Sequence, residues 1–255
     1  MPCTISICNL SIGYGQNVIA NTINFELFKG ELVGIVGING IGKSTLLKTM
    51  AKLLRTLGGE LSILENKIEN LTTNDLSKLV ALVLTEPLAT KNLTVEEVLA
   101  LGRQPYTNWM GTLSSKDRIK IESGISQFHL NTIRGKKCFE LSDGQLQRVM
   151  IARAMVQDTP LIILDEPTTH LDLQNKVQIL RLLQQLAHEY EKTVVFSTHE
   201  IELAIQLCDK ILILDGKDNP FGKPYELIEK SYFSNLFSSD LVVFDVKTAS
   251  FRIKK

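Results

Sequence analysis

Apolar residues along this chain fall into two alternating patterns. Leu32 to Val36, Leu161 to Leu164, Thr193 to Ser197 and Ile211 to Leu214 are short continuous runs, and they read as strands buried on both faces. Between the runs stand longer segments whose apolar positions recur three and four apart. Leu46, Leu47, Met50, Leu53 and Leu54 mark one helical face after the first run, and the segments around Asn175 to Tyr190 and Glu200 to Cys208 mark two more. Buried strand, helix and buried strand in succession predict crossover units and a largely parallel sheet covered on both faces, an α/β fold.

Two stretches depart from that rhythm. Thr4 to Leu10 and Val18 to Phe28 alternate and carry β-branched residues, with Gly13, Gly15 and Lys29-Gly30 supplying turns, so an antiparallel β layer is expected at the N-terminus. From about 86 to 154 the pattern changes to helices with long polar connections, including GRQPYTNWMGTLSS, which holds the only tryptophan. This segment reads as a helical subdomain inserted into the α/β core. Residues 231–255 read as a C-terminal extension, a helix turn followed by short strands. A length of 255 residues suits one domain with such an insert.

Composition narrows the partners. Lys plus Arg equals Asp plus Glu at 28 each, so no positive field exists to hold a nucleic-acid backbone, and nucleic acid is not an expected partner. No apolar run nears the roughly 20 residues of a spanning helix. The opening MPCTISICNL lacks a charged start and long apolar stretch, so the expected location is the cytosol. Cys3, Cys8, Cys138 and Cys208 have no paired metal-type spacing; they read as small buried thiols, without zinc or disulfides.

The chemistry begins at Gly37-Ile38-Asn39-Gly40-Ile41-Gly42-Lys43-Ser44, which matches G-x-x-x-x-G-K-[ST] between a buried strand and a helix. Glycines let backbone N–H groups turn inward around phosphates, and the helix N-terminus adds positive potential. Lys43 suits the β and γ phosphates and Ser44 suits Mg²⁺. Gly37, Asn39, Gly40, Gly42, Lys43, Ser44 and Thr45 are therefore candidate nucleotide-binding positions.

A second group sits at strand ends. Leu161 to Leu164 runs into Asp165 and Glu166, two acids at the carboxyl end of a buried strand, where α/β sheets bind ligands. Neighbouring acids there point differently, so Asp165 can hold the Mg²⁺ shell while Glu166 polarises an attacking water. His199, after the strand TVVFS, falls beside the same site and is assigned to sensing the γ phosphate and orienting the water.

Leu141, Ser142, Asp143, Gly144 and Gln145 open a further helix, where Ser142 is also a natural cap. Spelled LSDGQ, this segment resembles that of the ATP-binding subunits of ABC transporters, and the resemblance extends over nearly all the chain. It implies a P-loop ATPase with a RecA-like core and the helical insert noted above. It implies that Ser142, Gly144 and Gln145 bind the γ phosphate of ATP held by a partner, giving a head-to-tail homodimer that closes on two MgATP molecules. A serine hydroxyl, a glycine N–H and a helix N-terminus do make a second anion site. Tyr14 fits the aromatic that stacks on adenine, Asp172 in TTHLD fits the loop that crosses the dimer, and His199 fits the switch histidine. Two membrane-spanning permease subunits, and indirectly a substrate-binding protein, are the implied partners, with the chain peripheral on the inner membrane face.

Within the family, GRQP after LTVEEVLAL, together with PTTHLDLQNK, looks like the subgroup serving iron-siderophore, haem and vitamin B12 importers. Two positions depart from the family pattern. Thr85 stands where a glutamine usually touches Mg²⁺ and couples to the membrane partner; either Thr85 acts through a water or Glu86 substitutes. Asp143 replaces the commoner glycine, which suggests a side chain turned away from phosphate. The alternative, an ATPase of DNA repair or translation, expects heptads or a second motif set and a basic linker, none of which occurs.

Overall fold

A computed structural model describes residues 2–85, 91–236 and 242–254 of the chain. The N-terminal layer opens with β1 (Cys3–Tyr14) and β2 (Asn17–Phe28), antiparallel across the turn at Gly15. The first buried run is β3 (Leu32–Val36), followed by α1 (Lys43–Met50). Then β4 (Gly58–Ile63) and β5 (Asn66–Lys67) return to the layer, giving the order β2-β1-β4-β5.

After α2 (Thr73–Leu79) comes β6 (Val80–Val83). Among the described residues three α-helices stand between it and the next strand: α3 (Val95–Leu101), α4 (Ser115–Gln127) and α5 (Asp143–Val156). The chain continues with β7 (Leu161–Leu164), α6 (Leu173–His188), β8 (Thr193–Ser197), α7 (Ile201–Leu207) and β9 (Lys210–Ile213). It finishes with β10 (Phe221–Gly222), α8 (Pro224–Glu229) and the hairpin of β11 (Val242–Asp245) and β12 (Ser250–Ile253). The central sheet has the order β10-β9-β3-β8-β7-β6, parallel except for β10.

Because successive side chains on a strand point to opposite faces, each buried strand feeds two cores. Ile162 and Leu164 of β7, with Val194 and Phe196 of β8, join a cluster with α3 to α7. Leu161, Ile163 and Val195 join the other cluster, with α1 and the N-terminal layer. This is why those runs lack polar alternation. The helices α3, α4 and α5 bury Val98, Ile125 and Ile151 in the first of these clusters.

Four expectations need correction. The helix after the phosphate loop stops at Met50, so Leu53 does not share its buried face and is 58% exposed. Lys52 takes a left-handed φ of 56°, and the Lys52 and Leu53 N–H groups bond back to the Thr49 and Lys48 carbonyls, a Schellman end. Gly13 lies within β1, paired with Val18, instead of forming a turn; a Cβ there would come within 1.9 Å of the Asn17 carbonyl oxygen. Cys8 is exposed, since it falls on the outward side of β1, whereas Cys138 and Cys208 are buried. The strand placed at Ile211 to Leu214 runs one residue earlier. Among the described residues no helix is long and apolar enough to cross a membrane.

Candidate functional site

The carboxyl ends of β3, β7 and β8 converge because β8 lies between the other two in the sheet. The register that pairs Leu164 with Phe196 sets Asp165 beside Ser197. From β3 the chain turns through the glycine loop into α1. Gly42, the residue before that helix, has φ 112°, a conformation suited to glycine, and a Cβ there would lie 2.8 Å from Ile19 Cγ2. The first turn of α1 carries no acid and no side-chain cap, so its N–H groups keep their positive potential for an external anion.

An open cleft of about 610 Å³ lies against this loop. Asn39, Gly40, Gly42, Lys43, Ser44 and Thr45 line one side, and Tyr14, Ile19, Glu166 and His199 complete it. Lys43 is 5% exposed, and its Nζ donates to the carbonyls of Gly37 at 2.9 Å and Ile38 at 3.2 Å. Burial pulls its pKa below the usual lysine value, while Glu166 and Asp165 oppose that effect. Tyr14, half exposed at the end of β1, accepts a 3.4 Å hydrogen bond from the Thr45 hydroxyl. Its ring and Ile19 form an apolar wall of the kind an adenine ring stacks on.

The Asp165 carboxylate is buried, and its Oδ1 accepts from the Ser44 hydroxyl at 2.9 Å and the Ser197 hydroxyl at 2.7 Å. Ser197 also accepts the Glu166 N–H at 2.9 Å. Glu166 has φ 46°, a left-handed backbone uncommon for a residue with a side chain. Its Oε2 accepts from the Thr169 hydroxyl at 3.0 Å and stands 3.9 Å from His199 Nδ1, beyond hydrogen-bond reach. His199 Nε2 lies 3.4 Å from Glu200, which is itself paired with Lys176.

Thr85 comes close without lining the cleft. Its hydroxyl donates to the main-chain carbonyl of Asp165 at 2.9 Å, and Glu86 lies outside the described residues. The oxygen pair of Ser44 and Asp165 is a hard donor set that fits Mg²⁺.

Ser142, Gly144, Gln145 and Asp172 form a separate place, at the starts of α5 and α6. Ser142 and Gln145 make a reciprocal capping box: the Ser142 hydroxyl accepts the Gln145 N–H at 3.3 Å, and the Gln145 side chain accepts the Ser142 N–H at 3.1 Å. Asp172 caps α6 and holds both the main-chain and side-chain N–H groups of Asn175 at 2.8 Å. Asn175 packs on the signature glycine, since a Cβ on Gly144 would lie 3.2 Å from its Oδ1. Asp143 is exposed.

Sequence reasoning missed Ile19, Thr169, Asn175 and Ser197. For Ser197 the signal was a hydroxyl closing an otherwise apolar strand run, and for Asn175 an amide three residues after the cap Asp172.

Comparison with known proteins bears on the family and the fold. The family model described as ABC transporter matches residues 20–169. The ABC transporter ATP-binding protein MJ0873 of Methanocaldococcus jannaschii is 38% identical over 95% of this chain and 82% of its own length. The iron(3+)-hydroxamate import ATP-binding protein FhuC of Bacillus subtilis is 34% identical over 96% of this chain and 92% of its own. Among solved structures, an inward-facing ABC transporter of metal-chelate type superposes with a TM-score of 0.81 at 28% identity, covering 92% of this chain and 89% of that one. The dimeric post-hydrolysis state of the cassette MJ0796, bound to ADP and Pi, gives 0.72 at 29% identity, over 86% and 98%. With its phosphate loop, strand-end acids and LSDGQ helix start in one α/β frame, the chain belongs to the family of ABC transporter ATP-binding proteins.

Proposed function

We propose that this chain is the ATP-hydrolysing subunit of an importer for iron-siderophores or related metal chelates such as haem and vitamin B12. It works as a head-to-tail homodimer beneath two permease subunits on the inner face of the membrane, fed indirectly by a substrate-binding protein. The observation that carries the reading is the separation of two anion-binding places. The cleft is lined with Glu166, Lys43 and Ser44, whose hydroxyl bonds the Asp165 carboxylate, whereas the LSDGQ tip stands apart from it. Ser142 and its helix N-terminus therefore serve the nucleotide of a second copy. The iron-chelate cargo follows the names of relatives such as FhuC and the petrobactin import ATP-binding protein FpuD of Bacillus anthracis, 33% identical over 89% of this chain.

In this mechanism Tyr14 and Ile19 take the adenine, and the loop from Gly37 to Thr45, including Asn39 and Gly40, wraps the phosphates. Lys43 exchanges its bonds to the Gly37 and Ile38 carbonyls for phosphate oxygens. Ser44 and Asp165 hold Mg²⁺, which when bound neutralises phosphate charge and orients the phosphates for in-line attack. Glu166 accepts the proton of the attacking water, and His199 senses the γ phosphate. Asp172 and Asn175 support the partner-facing tip, and Thr85 braces the Asp165 main chain. The single α/β domain carries residues 86–154 as a helical subdomain that transmits closure to the permease, with 231–255 as an extension.

Sedimentation of Glu166→Gln tests this. The variant should be monomeric without nucleotide and dimeric with MgATP; a monomer at saturating MgATP sinks the shared-site reading. Purified with a chelate permease in vesicles, the wild-type chain should drive MgATP-dependent uptake of a ferric siderophore.

A further inference from the structure

We propose that Ser197 and Thr169 are positioning residues that aim the Glu166 carboxylate, one through its backbone and one through its side chain; this rests on the reading of Glu166 as the base. The difficulty they resolve is geometric. Asp165 and Glu166 are adjacent, yet one must face the metal position and the other the attacking water. The chain meets this by turning Glu166 into the left-handed region at φ 46°, a conformation that its own side chain disfavours.

Ser197 holds that turn. It is fully buried at the end of β8, its proton goes to Asp165 Oδ1 at 2.7 Å, and its lone pair takes the Glu166 N–H at 2.9 Å. A hydroxyl can donate once and accept at the same time, so one atom fixes the Asp165 carboxylate relative to the Glu166 peptide. Valine or alanine there would remove both bonds and leave the Glu166 N–H without this acceptor.

Thr169 holds the other end. Its N–H closes a turn onto the Glu166 carbonyl at 3.2 Å, and its hydroxyl donates to Glu166 Oε2 at 3.0 Å. With Oε2 engaged, Oε1 is the carboxylate oxygen without a hydrogen-bond partner among the described residues, on a side chain that lines the cleft. The geometry assigns the water's proton to Oε1. Because Thr169 belongs to the same short loop as Asp172, the aim of the base is tied to the segment that supports the LSDGQ tip.

The experiment compares Thr169→Val, Thr169→Ser, Ser197→Ala and Ser197→Thr with wild type and Glu166→Gln. The readouts are steady-state ATP hydrolysis, equilibrium binding of a fluorescent ATP analogue, and Tm. Thr169→Val should lower kcat about tenfold, a fraction of what a general base contributes, with KM and analogue affinity within about twofold of wild type. Thr169→Ser should recover most of the loss, because it restores the donor, and Ser197→Thr should likewise outperform Ser197→Ala. If Ser197→Ala does not fold, the Thr169 pair decides. A wild-type kcat in Thr169→Val beside an inactive Glu166→Gln overturns the positioning roles alone. Parallel losses of kcat, affinity and Tm reduce them to structural roles and also overturn the proposal. Wild-type hydrolysis in Glu166→Gln instead removes the base reading on which it rests.

Discussion

The cleft and the LSDGQ tip both carry clustered polar groups, and the chain builds them in opposite ways. In the cleft the partners are distant in sequence: Ser44 meets Asp165 and Asp165 meets Ser197 because the central sheet brings three strand ends together, and Tyr14, at the end of β1 in the N-terminal layer, meets Thr45 of α1. At the tip the bonds are local, from Ser142 to Gln145 and from Asp172 to Asn175, and the acceptor and donor groups lie within one helical turn. Lys43, Thr45, Asp165 and Ser197 of the cleft region are buried, while Ser142 and Gln145 are exposed. A site assembled by tertiary structure is committed to its chemistry before any partner arrives. A site assembled by capping is stable alone and acquires its function from what docks on it.

Glu166→Gln should break the cleft side hardest. On the base reading, steady-state hydrolysis falls by about 10²- to 10⁴-fold, while nucleotide binding and the capping bonds of the tip persist. Near-normal turnover, measured as phosphate release, removes Glu166 from that role.

The next largest effect should fall on the frame that carries the tip. Arg103 is 6% exposed, donates from Nε to Asp117 Oδ1 at 2.8 Å, and donates from Nη1 to the Val156 carbonyl at the end of α5. Ser114 occupies the other Asp117 oxygen at 2.6 Å. Asp117→Ala leaves a buried guanidinium without its counter-ion and should cost about 3–5 kcal/mol of stability, read by denaturant unfolding. The Ser114 hydroxyl first, and Arg103 with it, hold the Asp117 carboxyl below its ordinary value of 3.8. A group with a lowered folded pKa stabilises fully above the unfolded value, and that contribution fades as pH falls through the folded one. Acid should therefore loosen α4 and α5 below about pH 4, and the Asp117→Ala variant should lack that component.

Ser142→Ala sharpens the contrast directly. Loss of the cap costs about 1 kcal/mol of stability, and loss of one hydrogen bond to a charged phosphate costs about 1.5–3 kcal/mol, roughly 10- to 150-fold in turnover of the dimer. ATP affinity of the monomer should stay unchanged, since Ser142 does not line its own cleft. An equal loss of monomer affinity, by nucleotide titration, would erase the distinction between the two places.

The same contrast explains what could be read from the chain. The glycine loop, the acids at the end of β7 and the capping serine were legible because each is a local pattern with a local physical reason. The parallel sheet was legible because both of its faces are buried, which leaves Leu161 to Leu164 without polar alternation. Ser197 was not legible, for its partners lie 31 and 32 positions away and the link exists only through the register of β7 with β8. Nor was the end of α1, because a lysine at φ 56° takes the place that a glycine would have announced. Leu53 then kept helical spacing without helical structure. Asn175 was hidden for a different reason: its contact with Gly144 crosses between two helix starts whose separation the sequence does not encode.

Thr85→Ala is the smallest expected change and the finest probe of the cleft's redundancy. The Thr85 hydroxyl reaches the Asp165 carbonyl rather than its carboxylate. A neutral hydrogen bond of this kind contributes about 0.5–1.5 kcal/mol to stability. The carboxylate itself keeps the Ser44 and Ser197 hydroxyls, and the Asp165 N–H keeps its 2.8 Å bond to the Val83 carbonyl. Basal hydrolysis should therefore fall by less than about threefold, with Tm slightly reduced. Hydrolysis stimulated by the permease is the discriminating measurement. If it falls much further than the basal rate, Thr85 transmits the permease's state to Asp165 through the main chain; if both fall alike, Thr85 is a brace and nothing more.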